Sequence, residues 1–169
     1  MESLVKMFDK LSQYQILNYF IPGSVLCVLL KYLVGINLVD FSIPEVVVIC
    51  YFVGMVNSRL GSIILQPCLK AIGILKEAPY KDYVSAEKKD EKVTTLSEVN
   101  NMYRSLTNAM LLLLLAYGAM RISIIADFLR VNMNWIAIVC LLLIFVISYT
   151  KQTSYVRKRV EANTNKQFL

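Results

Sequence analysis

Trp135-Ile136-Ala137-Ile138-Val139-Cys140-Leu141-Leu142-Leu143-Ile144-Phe145-Val146-Ile147-Ser148-Tyr149 passes fifteen residues without a charge. An aromatic ring stands at each end of the run, where amphipathic rings settle at the headgroup level of a bilayer. A helix needs about 20 residues to cross a hydrocarbon core of about 30 Å. The run is therefore expected to extend over 131–150. Composition agrees, because 57% apolar against 18% charged residues is too apolar for a water-soluble chain of this length.

Three more apolar stretches precede it. The first covers 22–39, interrupted by Lys31 and Asn37. The second covers 43–65, with Glu45 near one end and Asn57-Ser58-Arg59 near the other. The third covers 106–126, with Asn108 and Arg121 as its strongly polar members around the block Met110 to Ala116. Lys and Arg set the expected orientation. Two lie before residue 15, eight from Arg59 to Arg104 and five after residue 150, fifteen of the eighteen in all. Four crossings gather those segments on one side, which the positive-inside rule makes cytoplasmic. The chain is thus expected to be one all-α domain, an integral four-helix membrane bundle with both termini inside. Its outer connections, 37–44 and 127–134, are short.

Residues 1–19 place Leu4, Val5, Phe8, Leu11, Gln15 and Tyr19 at helical spacing, which predicts an N-terminal interfacial helix. Glu2 and Asp9 are unlike a secretory leader, so the first span is expected to stay as an anchor. Pro22-Gly23 predicts an elbow and a gating hinge, with Pro22 opening a new helix. Between the second and third spans, 66–104 forms the sizeable aqueous segment, and 151–169 forms a cytoplasmic tail. Thr95-Leu96-Ser97-Glu98 has capping-box spacing and predicts a helix start. Gly54, Ser58, Gly61 and Ser62 make a small-residue stripe that lets a second helix, of this chain or another copy, approach closely.

Catalytic chemistry is missing from the sequence. The absence of histidine excludes His-based acid/base catalysis and most transition-metal sites. No phosphate-cradling glycine loop, nucleophile elbow or zinc spacing is present. The expectation is a non-enzyme without metal or cofactor. The four cysteines read as inert thiols. Absence of acids within the spans also disfavours a proton-coupled transporter subunit. Arg59 lies about 24 Å along its span from Ile43, near enough to the inner surface to snorkel. Arg121 lies about as far toward the outer one. Each reads as an interfacial anchor or a ligand contact.

The segments Asn18-Tyr19-Phe20-Ile21-Pro22-Gly23, Asn57-Ser58-Arg59-Leu60-Gly61-Ser62, Ala78-Pro79-Tyr80-Lys81-Asp82-Tyr83 and Leu96-Ser97-Glu98-Val99-Asn100-Asn101-Met102-Tyr103-Arg104 resemble small four-span bacterial membrane proteins of antiphage defence loci. Within that group the chain looks most like the membrane effector of Hailong-type systems. The resemblance implies a homo-oligomeric ion channel that depolarises the cell, controlled on its cytoplasmic side by an oligonucleotide made by a partner nucleotidyltransferase. An anionic oligonucleotide needs cations for its phosphates and flat rings for its bases. The candidate ligand residues are Arg104, Tyr103, Arg59, Lys88, Lys89 and Lys92. The same residues suit lipid headgroups. The alternative reading is a non-conducting membrane adaptor or scaffold that anchors a soluble cytoplasmic partner through 66–104 and the tail.

Overall fold

The computed structural model describes residues 13–164, which are helical throughout apart from short connections. Helix α1 spans residues 13–34, α2 Ile43–Ala71, α3 Tyr80–Glu87, α4 Lys92–Arg121 and α5 Ser123–Thr164. Gly23 meets Cys50 and Tyr19 meets Gly54, while Asn108 meets Asn57 and Arg104 meets Gln66, so α1 and α4 both run antiparallel to α2. Phe52 meets Phe145 and Ser62 meets Lys151, so α5 runs parallel to α2. The result is an up-down-up-down bundle, with α3 beside the ends of α4 and α5.

Among the described residues, three helices are long and apolar enough to cross a membrane: Ile16–Val34, Ile43–Ala71 and Val131–Glu161. Most of their surface faces outward, and in α5 only 6% of the apolar window is buried. Trp135, Leu142, Leu143 and Val146 are exposed there, as lipid-facing residues would be. Helix α4, carrying the predicted third span, has 30 residues. Its apolar stretch is bracketed by Arg104 and Arg121, which keeps it outside that group of three.

Several boundaries differ from the sequence reading, each for a local reason. The first span ends at Val34 and not at Val39, because Gly35 takes a left-handed conformation (φ 79°) and its N–H closes back on the Leu30 carbonyl. This is the usual glycine stop, free of a Cβ penalty. The connection expected at 127–134 is helical. The reversal falls instead at Ile122, whose φ of −100° and ψ of 108° are extended. With one residue leaving the helix and neither Gly nor Pro nearby, the sequence carried no turn signal. Helix α4 begins at Lys92, so Thr95 to Glu98 lie inside it and cap nothing. The capping interaction belongs to α2, where Glu45 accepts the Ser42 main-chain N–H at 3.0 Å and its hydroxyl at 2.6 Å.

The elbow expected at Pro22-Gly23 is also corrected, since α1 runs through it without a break. A proline inside a helix lacks one donor, and its ring crowds the carbonyl four residues back. Here the turn just before it, Ile16–Phe20, is widened to π-helical form, with the Ile21 N–H reaching Ile16. The same device recurs in α2, where the π-turn Gly61–Leu65 precedes Pro67 and the Gln66 N–H reaches Gly61. Such single wide turns are a known way to seat an insertion or a proline in a helix. Of the expected interfacial helix, 1–12 lies outside the described residues, and the described part continues directly into α1. The tail is the end of α5 as far as Thr164.

Candidate anion site at the basic end of the bundle

The small residues of α2 determine how closely its neighbours pack. A Cβ on Gly23 would lie 1.9 Å from the Cys50 carbonyl oxygen, and one on Gly54 would lie 1.8 Å from the Tyr19 carbonyl oxygen. Helices α1 and α2 therefore touch backbone to backbone at this crossing. Tyr19 packs edge-on against Tyr51 at 5.7 Å and against Tyr14 at 5.9 Å. Farther along α2, a Cβ on Gly61 would meet Asn108 Cβ at 3.3 Å and Arg104 Cγ at 3.6 Å. Ser58, between the two glycines, is buried. The stripe thus faces α1 at Gly54 and α4 at Gly61, both within one chain.

Beneath the glycines the contacts become polar. Asn57 Nδ2 donates to the Ser105 carbonyl at 2.8 Å. Asn108 Nδ2 donates to Asn57 Oδ1 at 2.8 Å and to the Asn57 carbonyl at 3.1 Å. One helical turn lower, Arg104 Nη1 reaches Gln66 Oε1 at 3.4 Å, and Gln66 Nε2 donates to Glu77 Oε1 at 2.6 Å. Lys70 pairs with the other oxygen of Glu77 at 2.7 Å. From α5, Lys151 Nζ donates to the Ser62 hydroxyl at 2.8 Å and also to the Ser62 carbonyl. A small open cleft lies beside it, lined by Arg59, Ser62, Ile63, Ser148, Lys151, Gln152 and Tyr155.

Lys151 feels the charges of Arg104, Lys70 and Arg59, and Arg104 feels that of Arg59, so four cations from three helices gather at this end. Glu77 is the carboxylate that acts on both Arg104 and Lys151. Burial lowers the pKa of the Arg104 guanidinium, opposed by Tyr14, Tyr155 and Glu77, yet an arginine keeps its charge in any protein. Burial pushes the Glu77 carboxyl up, but hydrogen bonds from Lys70 and Gln66 and the nearby cations outweigh it and hold the group below its usual range. Among the described residues three buried donors remain without partners, Arg104 Nε and the Ser105 and Ser148 hydroxyls. Buried positive charge with open donors is a poor arrangement for stability alone and a good one for receiving an anion.

The structure brings Arg59 and Arg104 into this cluster. Tyr103 is 61% exposed on α4, and Lys88, Lys89 and Lys92 are exposed around the turn between α3 and α4. None of these four lines the cleft. Lys70, Gln66, Glu77 and Lys151 were not among the residues the sequence singled out. The available signal was periodicity, since Ser58, Ser62, Gln66 and Lys70 extend the Gly54 stripe at every fourth residue along one helix face. Arg121 sits at the other end of the bundle, stacked at 4.8 Å on Tyr117 and donating to its hydroxyl. Comparison with protein-family models, curated proteins and solved structures finds no match to this chain.

Proposed function

We propose that the chain is an oligomeric, ligand-gated membrane effector of bacterial antiphage defence, which passes ions across the inner membrane under control of an oligonucleotide bound at its basic, cytoplasmic end. The observation that carries this reading is the basic end formed by Arg59, Lys70, Arg104 and Lys151, of which Arg59 and Lys151 line a small cleft, with Arg104 Nε and the Ser148 hydroxyl buried and without partners. Phosphates are the anions that such a cluster suits best, because Arg and Lys meet them with charge-assisted hydrogen bonds. The tyrosines nearby, Tyr14 and Tyr155, offer faces for bases.

In this reading α4 is a fourth span. Its polar residues are compatible with lipid around the bundle, because Asn108 is buried against α2 and hydrogen-bonded there, and Ser105 is buried beside it with its carbonyl accepting from Asn57. In this reading conduction uses several copies, and the exposed apolar faces of α1 and α5 are available to lipid and neighbours. Purified protein in liposomes tests the proposal. An ion flux that changes on adding short oligonucleotides is expected. Liposomes that stay tight with and without every oligonucleotide would overturn it.

A second reading, a non-conducting adaptor, draws on the length of α5. Its 42 residues make about 63 Å of helix, roughly twice a hydrocarbon core. Beyond the bundle it pairs Arg159 with Glu87 at 3.1 Å and Tyr155 with Tyr80 at 6.3 Å, a small platform for a soluble partner. A stoichiometric partner that co-purifies, together with tight liposomes, would select this reading.

A further inference from the structure

The anion site already contains an anion, which is Glu77. This residue belongs to no helix. It sits in the 72–79 connection, which turns back at Gly73 (φ 78°), with the Ile74 and Leu75 N–H groups both bonding to the Leu69 carbonyl. That reversal lays the connection along the last turns of α2, so that one carboxylate spans Gln66 and Lys70, four residues apart on the same face. Through Gln66 it is linked in turn to Arg104.

The engagement is partial. Glu77 directly occupies Gln66 and Lys70 at 2.6 and 2.7 Å, whereas Arg104 reaches Gln66 by a long 3.4 Å bond and has its Nε unbonded. Glu77 is also 38% exposed, so it is held by charge and geometry and not by packing. A carboxylate offers two oxygens in one plane. A phosphoryl group has three, with greater charge, and suits a cluster of four cations better.

We infer that Glu77 is a built-in competitor, occupying the seat that a phosphoryl group of the ligand takes, and that the incoming phosphoryl group frees the 72–79 connection from α2. This rests on the reading of the cluster as an anion site given above, and it adds the ligand's chemical class and the way binding reaches the α2–α3 link. The phosphoryl group has two sources, a soluble ligand or an anionic lipid headgroup.

Inorganic pyrophosphate binding to the full chain in nanodiscs is the test, in wild type, Glu77→Gln and Glu77→Ala. In neutral phosphatidylcholine discs both variants should bind about tenfold more tightly than wild type, since one charge-assisted competitor is gone. Saturating pyrophosphate should speed tryptic cleavage after Lys76 in wild type, while the variants are cleaved fast without it. If the gain appears as extra retained phosphatidic acid, a phosphomonoester lipid, in mixed-lipid discs, the headgroup is the source and Glu77 is still the competitor. Equal affinity in all three proteins, or a Lys76 rate that ligand leaves unchanged, overturns displacement of Glu77 while leaving an anion site standing. Binding of neither pyrophosphate nor phosphatidic acid by any of them removes the anion site itself, and the proposed function with it.

Discussion

Asn108 donates both of its amide hydrogens to Asn57, one to the side-chain oxygen at 2.8 Å and one to the main-chain oxygen at 3.1 Å. Asn57 answers by donating to the Ser105 carbonyl. Two helices are thus joined by side chains that are 1% and 3% exposed, at a level where apolar packing alone would leave their rotation about each other poorly specified. Between helices in a membrane such bonds contribute about 0.6 kcal/mol on average and up to about 2 kcal/mol.

Replacing either asparagine strands the other's polar atoms, so Asn57→Ala and Asn108→Ala are each expected to destabilise the protein by about 1–3 kcal/mol. The double variant should lose less than the sum. Thermal unfolding in detergent across the four proteins measures this, and strictly additive losses would show that the pair is not coupled.

Gly23 and Gly54 leave no room for even a methyl group, because each Cβ would press on main-chain atoms that cannot rotate away. Gly23→Ala and Gly54→Ala are expected to force α1 from α2 and cost about 3 kcal/mol or more, at the upper end of overpacking effects. Gly118 has open space around it in mid-helix, and Gly118→Ala should be neutral or stabilising by up to about 1 kcal/mol. The contrast in melting temperature between these glycines checks the crossing.

These elements differ in how plainly the sequence announces them. The charge-free run before Tyr149 and the clustering of Lys and Arg require only counting, since lipid imposes one demand along a whole span. Asn57, Asn108 and the Gly54 stripe were visible as exceptions to that demand, but their pairing was not, because an exception does not name its partner. Ile122 and the proline-seating π-turns were invisible, as each depends on a single residue's backbone within otherwise uniform helix. Glu77 was hidden for another reason. It reaches the cluster only through the left-handed turn at Gly73, and no periodic pattern crosses such a turn. The Lys88, Lys89 and Lys92 run was conspicuous by charge density, yet it is the isolated cations that the fold connects to Arg104, Lys151 by charge and Lys70 through Glu77 and Gln66.

Acid should loosen the 72–79 connection. The Glu77 carboxyl lies below its usual range when folded, so its contribution is present above the unfolded value and is lost as pH falls through the folded one. Because the side chain is 38% exposed, the stabilisation is small, on the order of 1 kcal/mol or less. Tryptic sites are unsuited to acid, so hydrogen exchange of the 72–79 amides between pH 6 and pH 3 is the measurement, corrected for intrinsic rates. Protection should fall across that window in wild type and be low and flat in Glu77→Gln.

Cys68 is exposed on the last turns of α2, while Cys27 and Cys50 are buried at the α1–α2 crossing. Its side of the membrane tests the whole account, since the anion site lies at the same end of α2. Labelling with a membrane-impermeant maleimide, followed by peptide mapping, is predicted to modify Cys68 in inside-out membrane vesicles and to leave it unmodified in sealed spheroplasts. Modification from outside sealed cells, or recovery of the intact chain in the soluble fraction without detergent, would contradict it.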